Sequence, residues 1–484
     1  MHLVVPLLVG VAAATDSTVR QQCDIAIIGG GPGGVYFAWR LLASGTHQRI
    51  CAYERSARFG GRILSLRNQG PKEDLVVDLG AYRYAPAPYV EGSWYIYTPL
   101  LGALIDTALK LPSKLYEPGN KNSTVRKIVD AHGENAGYVT FVEAMMAQLK
   151  NWTNYHLTYN EELASLTPPA TKGGPIGLQF ASGLEVAAGK VLLNLPQLPL
   201  LKVLSSSEDF VRASGGMPAS LQVPMPMDGA KLYVHYSNAW WRNILNLSSG
   251  EFGLDMHNAT RTQSGQVPDL SGRYHDGHTR CDGSTPSLRC RGFLEATYTY
   301  ADSARWFLNH QLRSNPPYTR LDYSEPTGRF ALDVIHESLV NYHKAALEKV
   351  AGYNATRFVA GLRPDFALLS YWGAQSEGFG GAIHMTRDGP LLPETELAPR
   401  AMAPFGELEV YVANEAFGAL RGTDGKLGGH HGWAECSLVM AENVLTAKFG
   451  VPPPSWCDRR VYDEYVSFRS TPTERGRRGG WHQG

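Results

Sequence analysis

The residues best suited to do chemistry lie between Gly29 and Arg62. A run of glycines contains the spacing G-x-G-x-x-G at Gly29, Gly31 and Gly34, and Glu54 follows twenty residues later. Glycines at this spacing let the backbone approach a pyrophosphate, which then sits at a helix N-terminus. An acid at the place of Glu54 takes the hydroxyls of a ribose. The spacing predicts a dinucleotide site, and the alternative is an incidental glycine turn.

Two strands and a helix are needed to position these residues. Residues 24–28 form an apolar run that leads into the glycines, and residues 35–42 are apolar at helical spacing. Residues 49–53 are a second predicted strand, which ends on Glu54. Strand, turn, helix and strand in this order form a βαβ unit with its ligand at the carboxyl edge of the sheet.

A second informative stretch lies near the end of the chain. Residues 408–413 predict a strand that ends at Asn414 and Glu415, and a helix is predicted after Gly432, Trp433 and Ala434. We therefore expect an α/β fold with a discontinuous Rossmann-like domain made from residues 22–85, 138–200 and 400–450. Residues 86–137 and 201–399 would form a mixed-sheet substrate domain with a reduced helical region. Residues 247–291 are predicted to be a polar loop.

Composition narrows the class of protein. The chain has 484 residues, of which 43% are hydrophobic and 19% charged, and 45 basic residues balance 45 acidic ones. No basic excess points to nucleic acid or to an anionic membrane surface. Residues 459–484, which carry the basic run 475–478, are expected to be a flexible tail. No cysteine or histidine cluster has metal-ligand spacing.

Several features favour the secretory pathway. Residues 1–14 are apolar with small residues at the end, which predicts a signal peptide too short to span a bilayer; an apolar extension packed on the fold is the alternative. Five sequons support secretion: Asn122, Asn151, Asn246, Asn258 and Asn354. Cys281 and Cys290 are expected to form a local disulfide. Cys23 and Cys51, on predicted core strands, are expected to be buried thiols, and Cys436 and Cys457 are a weaker candidate pair.

The run R-F-G-G-R at residues 58–62, directly after Glu54, is similar to a signature of the flavin amine oxidases. Nearly the whole mature chain resembles the flavin-dependent amine oxidase superfamily, and most of all its secreted L-amino-acid oxidases. The resemblance implies non-covalent FAD, with Glu54 on the adenosine ribose, Leu163 on adenine and Glu415 on the ribityl and phosphate region. The full set implied at the cofactor is Gly29, Gly31, Gly34, Glu54, Arg55, Gly61, Arg62, Gly80, Ala81, Tyr82, Arg83, Leu163, Glu415, Gly432, Trp433 and Ala434.

Arg83 is the residue that favours amino-acid oxidases within this resemblance. It follows a predicted strand beside the flavin, at a place where amine and polyamine oxidases usually have an aromatic residue. In the L-amino-acid oxidases an arginine there binds the substrate carboxylate. A planar guanidinium matches a carboxylate with two hydrogen bonds, and such a pair is strong where water is excluded. The alternative is an arginine paired with a local acid.

The resemblance implies four further substrate-side residues. Tyr298 is similar to a tyrosine that donates its hydroxyl to the same carboxylate, although Tyr300 could be confused with it and either could be a core aromatic. Lys231 resembles a catalytic lysine that holds a water against the flavin, and a cation there favours peroxide formation; a solvated strand-edge lysine is the alternative. Trp433 would be a wall of the pocket, and Ala382 a small pocket residue or a plain loop alanine.

The resemblance implies oxidative deamination of L-amino acids by FAD and O2, which gives 2-oxo acids, ammonia and H2O2. Two alternatives stay open: a polyamine or monoamine oxidase on the same fold, and a non-catalytic FAD-containing secreted glycoprotein. The expected partners are a small-molecule substrate and O2, with no nucleic acid and no membrane span. A homodimer is compatible with this reading.

Overall fold

The computed structural model describes residues 21–91, 94–116, 123–253, 270–283, 289–300, 304–308, 318–373, 379–386, 392, 394–421, 427–428 and 431–468. The strands are β1 Gln21–Ile28, β2 Ile50–Glu54, β3 Ser65–Gln69, β4 Leu75–Asp78, β5 Tyr89–Glu91, β6 Trp94–Ile96, β7 Ser113–Leu115, β8 Arg126–Ile128, β9 Tyr155–Tyr159, β10 Leu163–Thr167, β11 Ile176–Phe180, β12 Glu185–Leu193, β13 Met225–Met227, β14 Gly229–Tyr236, β15 Glu251–Gly253, β16 Ser271–Arg273, β17 Thr279–Asp282, β18 Arg289–Tyr300, β19 Tyr318–Leu321, β20 Phe366–Trp372, β21 Ile383–Met385, β22 Val410–Val412, β23 Leu420–Arg421 and β24 Leu427–Gly428. The α-helices are α1 Pro32–Ala43, α2 Pro99–Ala103, α3 Thr140–Leu149, α4 Gln197–Ser205, α5 Glu208–Ala213, α6 Trp240–Asn243, α7 Arg305–Leu308, α8 Pro326–Ala351, α9 Tyr353–Ala360, α10 Glu394–Ala401, α11 Ala434–Lys448 and α12 Arg459–Val461.

The first sheet carries the glycine run. Its strand order is β10-β11-β12-β1-β2-β9, and β22 pairs with the C-terminal end of β12. The pairs β12–β1, β1–β2, β2–β9 and β12–β22 are parallel, whereas β10, β11 and β12 pair antiparallel. Helices α1, α3 and α11 pack together on this sheet. Its central strands are apolar along most of their length, as expected of strands buried on both faces.

A cavity separates the second sheet from the first, and residues of both sheets line it. Its strand order is β15-β16-β18-β14-β20-β19, with β17 also on β18, and all of these pairs are antiparallel. The long helix α8 covers it and buries Leu332, Ile335 and Leu339 against the strands. Gly352, at φ 74°, ends that helix in a conformation that suits glycine. The predicted α/β class with a Rossmann-like first domain is confirmed.

A smaller apolar cluster joins the two sheets. Leu64, Leu75, Val77 and Leu79 from the β3–β4 region pack against β14, β18 and β20 of the second sheet. The β3–β4 hairpin therefore connects the glycine run to the second sheet, and its last residues lead directly to the cavity described below.

Two sequence-based expectations about local structure differ from the structure. Residues 247–291 are not a continuous polar loop, because β15, β16 and β17 lie within it and pair in the second sheet. Residues 459–468 are not a flexible tail, because Tyr462 and Val466 are buried in the first core.

The cysteines also pair differently from the prediction. Cys281 and Cys290 form the expected bridge, because they oppose each other across β17 and β18. Cys23 and Cys51 are not free thiols: β1 and β2 are neighbours, and their Cα atoms stand 6.0 Å apart, within the usual range for a disulfide. Cys436 and Cys457 are not a pair: neither is part of a disulfide, and both are buried.

Candidate cofactor and substrate site

The glycine run forms a backbone cradle at the end of β1. Gly29 has φ 101°, and a side chain there would begin 2.6 Å from the carbonyl oxygen of Asn194. A Cβ on Gly34 would lie 2.3 Å from the carbonyl oxygen of Gly29. Both positions therefore require glycine, and Gly31 remains on the surface of the cavity where α1 begins. This is the close backbone approach and helix N-terminus that a diphosphate needs.

Glu54 is held against this cradle. Its Oε2 accepts a hydrogen bond of 2.7 Å from the backbone N–H of Gly30. Its Oε1 accepts from the backbone N–H and the hydroxyl of Ser56, at 2.8 and 2.7 Å. The carboxylate still lines the cavity. An acid fixed at this place can accept from the hydroxyls of a ribose without a change of rotamer.

A cavity of about 820 Å³ runs between the two sheets. Most residues predicted at the cofactor and substrate line it together. They are Gly29, Gly31, Glu54, Arg55, Gly61, Arg62, Gly80, Ala81, Leu163, Lys231, Tyr298, Ala382, Glu415, Gly432, Trp433 and Ala434. Gly34, Tyr82 and Arg83 are not in this lining: Gly34 lies inside α1, and Tyr82 and Arg83 directly follow Ala81, which is in it.

Glu415 is the centre of a buried polar cluster at one wall. Arg62 Nη2 lies 2.7 Å from Glu415 Oε2, and the backbone N–H of Gly432 donates to Oε1 at 2.7 Å. His384 donates through its backbone N–H at 3.1 Å and through Nδ1 at 3.0 Å. Burial by itself would raise the pKa of Glu415, but Arg62 and His384 outweigh burial and hold it below its usual range. Glu415 therefore stays ionised and ties together three distant segments.

The segment from Asp78 to Gly80, which leaves β4, is held by side chains of the second sheet. The carbonyl of Leu79 accepts from Ser370 Oγ at 2.8 Å and from Trp372 Nε1 at 2.9 Å. The carbonyl of Gly80 accepts from Lys231 Nζ at 2.8 Å. A Cβ on Gly80 would stand 2.0 Å from the carbonyl oxygen of Arg62, so only glycine fits between these segments.

Lys231 is buried at the cavity wall, not solvated at a strand edge. It lies on β14, with 2% of its surface exposed. Its Nζ also lies 3.4 Å from the carbonyl oxygen of Asp78, 3.6 Å from the ring centroid of Tyr82 and 4.5 Å from that of Tyr298. Burial lowers the pKa of Lys231 to about 7, against the attraction of Glu295 and Asp78. Its ammonium and neutral amine forms therefore coexist near neutral pH.

Some of the aromatic residues around Lys231 line the cavity, and others lie outside its lining. Tyr298 lines the cavity beside Trp433, and it accepts a short hydrogen bond from the hydroxyl of Tyr300, which is not in the lining. Arg83 lies among rings: its Cζ is 5.2 Å from the centroid of Tyr82, 5.3 Å from Tyr116 and 5.8 Å from Trp433. Its guanidinium therefore lies within cation–π distance of Trp433, which lines the cavity.

Several residues of this region were not predicted from the sequence. Asn194 at the end of β12 donates to the carbonyl of Gly29 at 3.1 Å. His384 is a direct partner of Glu415. Glu295 and Asp276 are buried acids on the far side of Lys231. The alternation of inward-facing and outward-facing residues along β18 could have pointed to Glu295. No local pattern marks Asn194, His384 or Asp276.

In the part of the chain that the structure describes, no group of three or more histidine, cysteine, aspartate or glutamate residues could hold a metal ion. In the same part, none of the helices combines the length and apolarity needed to cross a bilayer.

Comparisons with known proteins define the fold class. A family model described as an NAD(P)-binding Rossmann-like domain matches residues 27–95. Solved structures of putrescine oxidase share the whole architecture, so the chain has the fold of the flavin amine oxidases.

The similarity in sequence to those structures is low. A triple mutant made to redesign cofactor binding in putrescine oxidase is 13% identical, with a TM-score of 0.51 over 89% of this chain and 99% of that chain. The wild-type enzyme bound to putrescine is 12% identical, with a TM-score of 0.51 over 89% and 100% of the two chains. No curated protein sequence matches the chain.

Proposed function

We propose that this chain is an FAD-dependent oxidase of primary amines and that its substrates are L-amino acids. The observation that carries the proposal is the end of the cavity where Lys231, Tyr298 and Trp433 meet, with Arg83 Cζ 5.8 Å from the ring centroid of Trp433. A cation, a phenol hydroxyl and an aromatic wall are there brought next to a dinucleotide cradle.

The residues present fit FAD. The glycine cradle suits the diphosphate, Glu54 suits the adenosine ribose, and Leu163 lies at the same end of the cavity. Arg62 supplies a positive charge beside Glu415, which can accept from a hydroxylated linker. Bound FAD would supply two-electron oxidation of a C–H bond and return of those electrons to O2.

Arg83 and Tyr298 would bind the substrate carboxylate. The guanidinium is kept in place by the rings of Tyr82, Tyr116 and Trp433, so little side-chain entropy is lost when it forms a bidentate pair. A substrate fixed at its carboxylate presents its Cα–H in one orientation, and such orientation accounts for a large part of many enzymatic rate enhancements.

Lys231 would act in the reaction with oxygen. The amino acid loses two electrons and two protons, which O2 takes up to form H2O2, and water then hydrolyses the imine to a 2-oxo acid and ammonia. An ammonium group at the cavity wall stabilises negative charge that develops on O2 as it accepts electrons.

The second candidate is an oxidase of amines that carry no carboxylate. The similarity in fold to putrescine oxidase favours it. The two candidates differ in what Arg83 does. An amine without a carboxylate would form no ion pair with the guanidinium near Trp433, and a cationic diamine would be repelled by it.

The test is an absorbance spectrum of the purified protein under nitrogen. Flavin absorbance that bleaches with L-amino acids, and returns with peroxide when air is admitted, is the expected result. Bleaching by putrescine or spermidine and not by amino acids would favour the second candidate. Flavin absorbance that no amine bleaches would contradict both and favour a non-catalytic flavoprotein.

We also propose that the protein is a secreted glycoprotein. The sequons Asn151, Asn246 and Asn354 are exposed, and the two disulfides suit an oxidising compartment. The predicted signal peptide, Asn122 and Asn258 lie outside the described residues. Recovery of the protein from the culture medium, with a mobility increase after treatment with an N-glycosidase, is the expected result; retention in the cytosol would contradict it.

A further inference from the structure

Two carboxyl groups are buried together on the side of Lys231 that faces away from the cavity. Glu295 lies on β18, opposite Tyr233 of β14 and Arg273 of β16. Asp276 follows β16 by three residues. The side chain of Glu295 is 0% exposed and that of Asp276 is 1% exposed. Two acids in such a place need either cations or a proton between them.

Hydrogen-bond donors are scarce around this pair. Glu295 Oε1 accepts from the hydroxyl of Tyr233 at 2.9 Å. Glu295 Oε2 and both carboxyl oxygens of Asp276 have no hydrogen-bond partner among the described residues when both acids are counted as ionised. Two basic side chains lie near the acids but too far for a hydrogen bond: Arg273 Nη1 is 3.9 Å from Glu295 Oε2, and His275 Nε2 is 3.9 Å from Asp276 Oδ1.

One proton between the two acids removes this deficit. The carboxyl groups are within hydrogen-bonding reach of each other, and burial together with Glu295 raises the pKa of Asp276. A protonated Asp276 can donate to Glu295, whereas two adjacent carboxylates would repel. Glu295 then keeps a full negative charge.

That charge is directed at the site of Lys231. The hydroxyl of Tyr233, which bonds Glu295, also lies 3.2 Å from the carbonyl oxygen of Asp78, the same oxygen that faces Lys231 Nζ. Lys231 and Tyr233 are successive inward residues of β14, and they oppose Tyr298 and Glu295 on β18. Among the charges around Lys231, Glu295 favours the ammonium form most.

We propose that Glu295 is a positioning residue that keeps Lys231 in its ammonium form, and that Asp276 holds Glu295 in place through one shared proton. The inference rests on the proposed function only for the role of Lys231 toward oxygen; the shared proton does not depend on it.

Other charged and titratable groups also face this cluster and would contribute to any pH dependence. Asp78 comes from β4, Tyr82 and Arg83 from the segment after it, Arg273 and His275 from the β16 region, and Tyr298 and Tyr300 from β18. Arg83 and Arg273 disfavour the Lys231 ammonium, so Glu295 acts against two nearby cations.

The first experiment looks for the shared proton by infrared spectroscopy of the protein at pH 7, without substrate. A protonated carboxyl gives a C=O stretching band that shifts in D2O. The pKa of Glu435 is about 8, so this buried acid is also largely protonated at pH 7, and the spectrum of each variant is therefore subtracted from that of the wild type. We expect the band in the wild-type-minus-D276N and wild-type-minus-E295Q difference spectra, and not in that of the control E407Q, at a side chain that is 81% exposed. Absence of the band from the wild-type-minus-D276N difference spectrum would overturn the shared proton.

The second experiment measures the pH dependence of reoxidation by O2 after the bound cofactor has been photoreduced, so no amine is needed. The reoxidation rate should fall as pH rises through the pKa of Lys231, and this falling limb of the pH profile should be absent from K231M. E295Q should move the limb about one pH unit or more to lower pH, because the ammonium form loses its main support.

Variant D276N separates the roles of the two acids. Its amide can donate to Glu295 as the shared proton does, so the limb should stay close to that of the wild type. Equal downward shifts in D276N and E295Q would mean that Asp276 carries its own charge, and no shift in E295Q would overturn the role of Glu295. If E295Q does not fold, E295D takes its place, and a limb unmoved by a shorter acid has the same meaning.

The outcomes distinguish this inference from the proposed function. If the wild type does not oxidise amino acids but E295Q still moves the limb to lower pH, the proposed substrate is contradicted and the inference about Glu295 stands. If the protein retains no flavin, the infrared comparison still decides the shared proton.

Discussion

Arg83 and Glu415 illustrate two different roles for a charged residue at one site. Glu415 is satisfied within the protein, by Arg62, His384 and the backbone of Gly432. Arg83 lies against the flat faces of Tyr82 and Trp433, which favour one orientation of its guanidinium. The first arrangement is suited to hold a cofactor pocket in shape, and the second to receive an anion.

The substitution R83A should abolish use of a substrate carboxylate and leave the flavin in place. Loss of one partner of a desolvated charge pair costs about 2–5 kcal/mol, which corresponds to roughly 30- to 5,000-fold in kcat/KM. R83K should recover only part of this, because an ammonium cannot form the bidentate pair. Steady-state peroxide assays with L-amino acids measure the effect; unchanged kcat/KM in R83A would contradict the carboxylate role.

The substitution E415Q should weaken retention of the flavin. An amide cannot balance the charge of Arg62, and its NH2 group opposes either the Gly432 N–H or the donors on His384. We expect a lower ratio of flavin to protein absorbance after gel filtration. E407Q, at a side chain that is 81% exposed, is the control and should keep the wild-type ratio. Equal ratios in both variants would argue against a role for Glu415 at the cofactor.

Sequence patterns identify the residues that lie close together along the chain, and they miss those that only the fold brings together. Gly29, Gly31 and Glu54 lie on one βαβ unit, so their spacing predicts their proximity. His384 and Glu415 are 31 positions apart, and Asp276 lies in a stretch that reads as loop. Pairing of β16 with β18 places Asp276 near Glu295, and no short-range periodicity contains that information.

A buried acid of helix α11 caps the N-terminus of helix α2. Glu435, in the first turn of α11, accepts from the backbone N–H groups of Leu100 and Leu101 at 2.9 and 2.7 Å. These are N–H groups of the first turn of α2, which have no partner within that helix. Glu435 is 1% exposed, and burial raises its pKa to about 8 against these two hydrogen bonds. It directly follows Ala434 of the cavity wall.

The substitution E435A should therefore destabilise the protein markedly. It leaves two buried N–H groups without an acceptor, at about 1–3 kcal/mol each, and opens a small cavity. Urea unfolding should show a loss of about 2–5 kcal/mol. E337A, at an exposed position of α8, should stay within about 0.5 kcal/mol of wild type. A similar, small change in both variants would contradict the capping role.

At the element scale, prediction succeeded where one period dominated. Strands β1 and β2 and helix α1 were expected within a few residues of their observed ends, and helix α11 close to its observed start. Strands β15, β16 and β17 were missed because each has only three or four residues and lies among glycines and polar side chains. Such strands are specified by the neighbours they pair with and carry little signal of their own.

Several buried histidines make the whole molecule sensitive to acid. His343 Nδ1 donates to the carbonyl of Leu339 and Nε2 accepts from the hydroxyl of Tyr274, both at 2.7 Å, so the ring is neutral. Burial lowers the pKa of His343 to about 4 and that of His275 to about 3. Below the pKa of about 6.5 that an unfolded histidine has, the unfolded state therefore binds more protons than the folded state.

Stability should consequently fall as pH drops from about 6.5 toward 4, and be fully present above that window. His343 alone should account for about 2 kcal/mol between pH 7 and pH 5. Urea midpoints at the two pH values measure the loss. H343Q should reduce the difference between them, whereas H132Q, at an exposed turn, should not. A pH-independent midpoint in the wild type would contradict the assignment of neutral buried histidines.

The assembly of the first domain from distant parts of the chain has a consequence for biosynthesis. Gly29 and Glu54 leave the ribosome early, whereas β22, Glu415 and the Gly432–Trp433 wall follow almost 400 residues later. At about 5–20 residues per second, roughly 20–80 s separate the two halves of the pocket. A nascent chain therefore has the cradle without its closing wall. Flavin should be captured only after translation has finished, and messages truncated before codon 410 should yield colourless protein.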